Sequence, residues 1–528
     1  MQYETALKGK DRIKMMLVRP PGHLWPLINE SDNWLLPLGL PALAAYLRRE
    51  MQGIDLYILD CLPEKVGWKS LRRKIAEYQP DVFGVGDLLI YMHEGMRALQ
   101  VAKEENPDCV TIAGGHSHSH MPEYSLKTFP QLDFIVQYEG EETTRELLET
   151  LRAGGDLSKV RSIAYRDGDT VMITPPRPLI EDINTLPMPA YDLVPVNKYS
   201  PGGVMYPRAV TIQGARGCPY NCNFCAWSAL EGHHELDKDG KVVLVPTLRQ
   251  RKVDNVIGDI DFLYKEHGIR YLFWVEGTWN YDNDWLNEFC DQMLKRKYKG
   301  LNWWAFVRAD KLLEQEKLGI LEKMVKVGFL HALIGGERPV DEELLHIGKN
   351  KLSADALVQA SNMMAKKYPK VVRYSTFITG IRSETPESML RLSDYSIKAN
   401  LDFAPYHPVT PFPGTPLFEE AKSKGWLEEF DYSKYDMFRP VMPSEAMTRE
   451  EISAMTLKIQ TRFIMKQPFR YIAGMFSPHW LRRHLRWYLT FSVLRVVMRD
   501  LWAAIRGKKQ FEGFGAVEKL WKPKWYNT

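Results

Sequence analysis

At 528 residues the chain is too long for one hydrophobic core, and its length points to about two to four domains. Hydrophobic residues at 45% and charged residues at 26% mark a globular composition, and a net charge of +4 is too small to imply a nucleic-acid partner. The opening MQYETALKGKDRIK has no apolar h-region or small-residue cleavage site, and no window reaches about 18 uninterrupted apolar residues, so neither a secretory signal nor a membrane-spanning helix is expected.

In chain order, IKMMLV (13–18) predicts a buried strand broken by PPGHLWP, and 37–50 has helical apolar spacing. Strands are expected at 55–60, 81–88, 109–115 and 133–140, with helices at 71–78, 93–106 and 141–154. This alternation predicts a Rossmann-like, doubly wound parallel sheet over 11–154, with ligand-binding loops after its strands. Residues 155–205 read as a linker carrying a small hairpin around Asp167–Gly168. A second α/β series starts near 207: AVTIQGAR, IRYLFWVEG, WWAFVRAD, FLHALIGGE, VVRYSTFITG and LDFAPYHPVTPFPG are strands, each preceded or followed by a helical stretch. Six such units over 206–430 predict a partial (β/α)6 barrel, and 431–528 reads as a helical C-terminal region.

Of six cysteines, Cys61, Cys109 and Cys290 are isolated, while Cys218, Cys222 and Cys225 cluster in GARGCPYNCNFC after a predicted strand. Such clustering points to a metal site in a reducing, cytoplasmic setting rather than to a disulfide scaffold. Three thiolates at C-x3-C-x2-C spacing suit a [4Fe–4S] cubane with one iron left open. That iron could chelate the amino and carboxylate groups of S-adenosylmethionine (SAM), whose reductive cleavage releases a 5′-deoxyadenosyl radical. Zinc is the competing reading, with His233 or His234 as further ligands.

The aromatic before the last cysteine and the place of this motif on the first barrel loop resemble the radical SAM superfamily. PLGLPALAAYL, AGGHSHSHMPE, EGEET and TPFPGTPLF extend the resemblance to the branch with an N-terminal cobalamin-binding domain. FRPVMPSEAMTREEI with RFIMKQPF is similar to anaerobic magnesium-protoporphyrin ester cyclases. The resemblance implies [4Fe–4S], SAM and cobalamin as cofactors, an electron donor such as flavodoxin or ferredoxin, and a small-molecule substrate. It places Phe224 beside the SAM adenine, Glu276 on the SAM amino group, Glu337 on the ribose and Gly380 near adenine. Arg308 could pair with the SAM carboxylate, with a surface ion pair as the alternative, and Gly335 and Gly336 would allow close backbone approach.

For cobalamin it implies Gly114, Gly115, His116 and Ser117 after the fourth strand and Glu139, Gly140 and Glu141 after the fifth. Departures are visible. The D-x-H-x-x-G loop is absent and only His23 lies after the first strand; Ser117 stands at the histidine of G-G-x-H, and Tyr138 at the first glycine of G-E-G-E. A cobalamin without a lower histidine is therefore expected, a weakly bound or lost cofactor being the alternative. His116, His118 and His120 read as a cofactor loop or as a solvated loop, and Tyr406, His407, Trp303 and Trp304 are candidates to line a substrate site, with core packing preferred for the tryptophans.

Between 480 and 506, Leu481, Leu485, Tyr488, Phe491, Leu494, Met498, Leu501 and Ile505 recur at helical spacing, with Arg495, Arg499 and Arg506 on another face. A helix covering the barrel is the preferred reading and peripheral membrane contact the alternative. The function expected is C–H functionalisation by methyl transfer, with porphyrin-type oxidative cyclisation or a zinc-stabilised binding protein as alternatives.

Overall fold

The computed structural model describes residues 6–22, 35–86, 89–199, 206, 208–236, 242–349, 352–507 and 522–528. Strands β1 (Ile13–Arg19), β2 (Ile54–Asp60), β3 (Val82–Gly86), β4 (Val110–Gly114), β5 (Phe134–Val136), β6 (Ile163–Asp167) and β7 (Thr170–Ile173) form one sheet in the order β2-β1-β3-β4-β5-β6-β7. The first five are parallel; β6 and β7 are antiparallel. The hairpin expected at Asp167–Gly168 thus continues this sheet instead of standing apart from it.

Strand β1 shows why its sequence is apolar throughout. Ile13, Met15 and Leu17 pack with Leu40, Ala44 and Leu147, from helices Gly39–Glu50 and Gly140–Ala153. Met16 and Val18 point the other way, to Leu71, Ile75 and Leu99 of helices Trp68–Tyr78 and Met92–Glu105. Alternate residues serve opposite helical layers, so neither face can be polar.

The second series comprises β8 (Ala209–Ile212), β9 (Ala215–Gly217), β10 (His233–Leu236), β11 (Val242–Val245), β12 (Leu248–Gln250), β13 (Tyr271–Trp274), β14 (Asn302–Val307), β15 (Phe329–Glu337), β16 (Val372–Thr379) and β17 (Tyr406–Pro408). Six of these build a parallel sheet ordered β17-β16-β15-β14-β13-β8, the partial barrel expected from the six repeated units. Leu272, Trp274, Trp303 and Ala305 face the outer helices, in one cluster with Ile257, Leu286 and Leu321. Phe273, Trp304, Phe306 and Tyr374 take the alternate positions, their rings linked through His331 at centroid spacings of 4.9–6.3 Å. Trp303 is therefore core, as preferred, and Trp304 lies half-buried on the opposite face.

The last strand is much shorter than expected from LDFAPYHPVTPFPG. Only Tyr406–Pro408 pairs, with one further bridge at Tyr374–Phe403, because prolines at 405, 408, 411 and 413 remove ladder N–H groups. Helices Arg449–Met465, Pro468–Met475 and Trp480–Ile505 follow; the first starts with a capping box between Thr448 and Glu451. In the third, Leu481 and Leu485 pack on Tyr206, Tyr271 and Phe273 at the base of the barrel. No helix among the described residues is long and apolar enough to cross a membrane.

Candidate active site

Strand β9 pairs antiparallel with β12 and delivers the chain to Cys218. Gly217 has φ +88° and a Cβ there would run into the Thr247 carbonyl, so the approach to the cysteines requires glycine. The loop then turns back on itself, with the Cys225 N–H donating to the Cys222 carbonyl at 3.2 Å, and helix Ala226–Glu231 begins at Cys225.

Loops from three barrel strands pin this segment. After β13, Thr278 Oγ1 lies 3.7 Å from Cys218 Sγ, and the Val275 carbonyl accepts from Trp227 Nε1 at 2.9 Å. After β15, the Ile347 carbonyl accepts from the Asn223 N–H at 3.1 Å, and Gly348 (φ +74°) passes so close to Asn221–Asn223 that a Cβ would overlap their backbone. After β17, the Leu417 N–H donates to the Asn223 carbonyl at 3.0 Å. The three thiols are free and sit at the carboxyl ends of parallel strands. Burial pushes all three upward, Cys222 to about 12. Such thiols stay protonated until a metal ion displaces the proton. Among the described residues no three His, Cys, Asp or Glu side chains converge on a single ion. The side chains of His233 and His234 lie outside the described residues.

Around the thiols stand several of the residues singled out above. Arg308 lies over the Tyr220 ring, 3.8 Å from its centroid, and pairs with Asp310 at 3.0 Å. Glu337, in a left-handed backbone (φ 46°), pairs with Lys349 at 2.9 Å, and the same ammonium donates to the Gly335 carbonyl. Arg308 and Lys349 are both close enough to oppose the upward shift of Cys218. A Cβ on Gly336 would overlap Ser375 and Leu357. Glu276 is buried; its Oε1 accepts from the N–H groups of Gly214 and Ala215, and its Oε2 has no partner. Burial lifts this carboxyl to about 8, against the pull of those backbone donors. A narrow cleft beside it is lined by Gly214, Ala215, Leu248, Thr278 and Trp279. Phe224 is half-buried beside the cysteines.

Gly380 follows the end of β16 with φ +70°, and its Cβ position meets Ile452 of helix Arg449–Met465, so glycine there admits the covering helix. Tyr406 is buried and hydrogen-bonded to Ser396 at 2.5 Å, while His407 is half-buried, with Nδ1 3.3 Å from the Met437 carbonyl. Lys349 and Thr278 escaped sequence reasoning, since a lone lysine in GKN and a lone threonine in EGTW carry no pattern.

The carboxyl edge of the first sheet meets the same mouth. After β4, Gly115 (φ 91°) leads into a short helix, His116–His120, so these histidines form a buried turn and not a solvated loop. Burial lowers His116 and His118 to about 4, leaving neutral imidazoles. His118 Nδ1 is 3.0 Å from Ser125 Oγ, but neither ring nitrogen of His116 has a hydrogen-bond partner, nor does Ser117 Oγ. The His116 ring lies 6.0 Å from Phe412, and the His120 ring packs against Gly414, both in the loop after β17. Neutral imidazoles, an unpartnered hydroxyl and Gly114–Gly115 without side chains fit a large ligand rich in amide groups.

Glu139 and Glu141 are otherwise engaged. Arg216, two residues before Cys218, bonds Glu139 at 2.8 Å and Glu141 at 2.5 Å; Arg249 of β12 adds 2.9 Å to Glu139. Tyr138 adopts φ 60°, which is why glycine suits this position in the G-E-G-E pattern; its ring lies 5.7 Å from His120. His23 lies outside the described residues.

Comparison with known proteins agrees with this two-layer arrangement. The B12 binding domain family matches residues 24–148. An uncharacterized methyltransferase of Pyrococcus horikoshii is 29% identical over 475 residues, covering 88% of this chain and 95% of that one. The anaerobic magnesium-protoporphyrin IX monomethyl ester cyclase of Rubrivivax gelatinosus is 29% identical over 451 residues, 83% of this chain and 75% of that one. The chain is thus similar to enzymes named as a methyltransferase and an ester cyclase, and its first sheet matches the B12 binding domain. Among solved structures, the radical SAM methyltransferase TsrM from Kitasatospora setae, with cobalamin and [4Fe–4S] cluster bound, shares the fold at TM-score 0.67 and 15% identity, over 92% of this chain and all of that one. The cobalamin-dependent radical SAM enzyme OxsB, with aqua-cobalamin and SAM bound, gives TM-score 0.67 at 16% identity, over 98% of this chain and 84% of that one.

Proposed function

We propose that the chain is a cobalamin-dependent radical SAM enzyme that functionalises an unactivated C–H bond of a small molecule by methyl transfer. What carries this reading is the juxtaposition at one barrel mouth of three free thiols with the neutral imidazole face of a B12-type sheet. Bound there, a [4Fe–4S] cluster supplies the electron that cleaves SAM, and cobalamin supplies a methyl carrier.

The chain's own residues hold and orient. Cys218, Cys222 and Cys225 ligate the cluster. Glu276 meets the SAM ammonium, where a cation returns it to the carboxylate form. Arg308 meets the SAM carboxylate by exchanging Asp310, and Glu337 meets the ribose beside Gly335 and Gly336 while Lys349 holds its second oxygen. Phe224 flanks the adenine. Gly114, Gly115, His116 and Ser117 receive cobalamin, and Gly140 starts the helix whose Glu139 and Glu141 lock that sheet to Arg216. The functional units in this reading are residues 11–154, 206–430 and 431–528, with 155–205, whose hairpin extends the first sheet, joining the first two. A flavodoxin or ferredoxin in a reducing cytoplasm serves as electron donor.

The test is anaerobic incubation of the iron- and cobalamin-loaded chain with SAM and a reductant. 5′-Deoxyadenosine together with S-adenosylhomocysteine is expected, and alanine at any of the three cysteines should remove both products and the bound iron. The similarity to cyclases over 451 residues favours a second reading, oxidative cyclisation of a porphyrin-like substrate, for which 5′-deoxyadenosine forms without S-adenosylhomocysteine. Zinc without iron in anaerobically purified protein would sink both.

A further inference from the structure

Helix Trp480–Ile505 changes character near residue 489. Leu481, Leu485 and Tyr488 are buried, but the apolar positions beyond them are exposed: Phe491, Leu494, Met498, Leu501, Trp502 and Ile505, the last at 72%. Their spacing of three and four residues makes them one stripe. The antiparallel neighbour, Pro468–Met475, adds Phe469 at 86% and Ile472, and Phe476 follows at 71%. The surface is continuous: Phe476 meets Trp487 edge-on at 6.3 Å, and Trp487 stacks on Phe491 at 5.5 Å. Twelve of the twenty-four exposed large hydrophobic side chains among the described residues fall within residues 465–505. A patch this concentrated is beyond the scattered apolar exposure of an ordinary surface.

Charge decides what covers it. Residues 465–507 carry eight lysines and arginines against Asp500 alone, a net +7, so the rest of a chain of net charge +4 is net −3. Arg482 and Arg486 turn inward to Asp402, and Arg470 donates to the Asn400 carbonyl. In sequence the segment also carries Lys466, Arg483, Arg495, Arg499 and Arg506, with Arg483 donating to the Ser477 carbonyl at 2.7 Å and Arg506 lying over the Trp502 ring. A second copy of the chain would bring two such cationic segments together, whereas an anionic surface neutralises them. Trp480, Trp487 and Trp502 add amphipathic rings suited to a headgroup boundary, and no described helix is apolar enough to span a bilayer.

We infer that helices Pro468–Met475 and Trp480–Ile505 form a docking surface for an anionic lipid bilayer, the apolar stripe entering the headgroup boundary. The inference is independent of the proposed chemistry. Because the first turns of the longer helix floor the barrel, a docked chain holds its barrel beside the bilayer.

The full chain is sedimented with vesicles of phosphatidylcholine alone and of equal parts phosphatidylcholine and phosphatidylglycerol. It should pellet with the mixed vesicles and bind pure phosphatidylcholine about tenfold more weakly, the difference shrinking in high salt. Phe476→Asp and Leu494→Asp sit at exposed positions, so each should keep the wild-type melting temperature while moving the chain to the supernatant. Wild-type protein left in the supernatant, equal binding to both vesicle types, or undiminished binding by both variants overturns the inference. A wild-type dimer that ignores vesicles and becomes monomeric on Leu494→Asp assigns the face to a second copy, and also overturns it.

Discussion

Glu276 carries a carboxyl whose chemistry departs far from its solution behaviour. Its folded pKa of about 8 lies above the ordinary 4.5 because burial penalises the charge more than the backbone donors reward it. The folded chain therefore holds a proton that the unfolded chain releases. Stability falls as pH rises from about 4.5 towards about 8 and is level beyond. Glu276→Gln keeps an acceptor for Gly214 and Ala215 and removes the titration. Its melting temperature should therefore gain on wild type between about pH 5 and about pH 8. A constant offset across that range would show that the carboxyl is not penalised in the fold. If SAM binds as proposed, its ammonium against Oε2 supplies the partner this oxygen lacks, so SAM should bind with proton release below about pH 8.

At the scale of elements, the ion-pair set joining β9 and β12 to the helix after β5 is a largely buried tie between the two halves. Arg216, Glu139 and Glu141 are all largely buried. Removing one partner strands a charge, so Arg216→Met should cost about 3–5 kcal/mol in urea unfolding, while the double variant Arg216→Met/Glu141→Gln should recover part of that loss. Additive losses would mean that the two groups do not act together. The long C-terminal helix makes a contrasting case. Leu485→Ala, on its buried half, should cost about 2–3 kcal/mol, but Phe491→Ala less than about 0.5 kcal/mol. Equal effects by thermal melting would contradict the division of the helix.

What could be read from the sequence divides along the same lines. Strand Phe329–Glu337 was legible at both ends, since a continuous apolar run is bounded by Gly328 and by the charged pair that opens ERP. The cysteine loop was legible because its three cysteines lie within eight residues. Helix His116–His120 was not, because HSHSH has no apolar period; tertiary packing against Phe412 and Gly414, some 300 residues away, buries it. The Arg216–Glu141 tie and the Glu337–Lys349 pair were invisible for a related reason. Ionic partners on separate elements leave no trace in spacing along the chain. The C-terminal helix misled in the opposite sense: one unbroken period ran through residues that pack on the barrel and residues that pack on nothing described.

For the whole molecule, the chain's last described segment returns to its first layer. Residues 522–528 lie at the start of helix Trp68–Tyr78, where the Tyr526 and Thr528 carbonyls accept from the N–H groups of Trp68 and Ser70 at 3.1 and 3.0 Å. Those donors have no intrahelical partner, so the segment caps the helix with its own backbone. The Tyr526 ring meets Trp68 edge-on at 6.2 Å. The barrel is thereby tied to the B12-type sheet at a second place besides Arg216, beyond the C-terminal helices, and the packing of Phe412 on His116 adds to both. Gly67 is the position that permits the second tie. Its backbone is extended, so glycine is not needed for conformation, but any Cβ would overlap the Trp525 carbonyl and the Thr528 backbone. Gly67→Ala should therefore release the segment. Two helix N–H groups then lose their acceptors, at a cost of about 1–2 kcal/mol in thermal melting. Trypsin should cleave after Lys524 several-fold faster, with the terminal peptide followed by mass spectrometry. Iron content should be unchanged, since the cysteine loop is held by other contacts. An unaltered rate of cleavage would mean that the segment is not seated on Gly67. Loss of iron along with the segment would mean that the two ties between the layers are not separable.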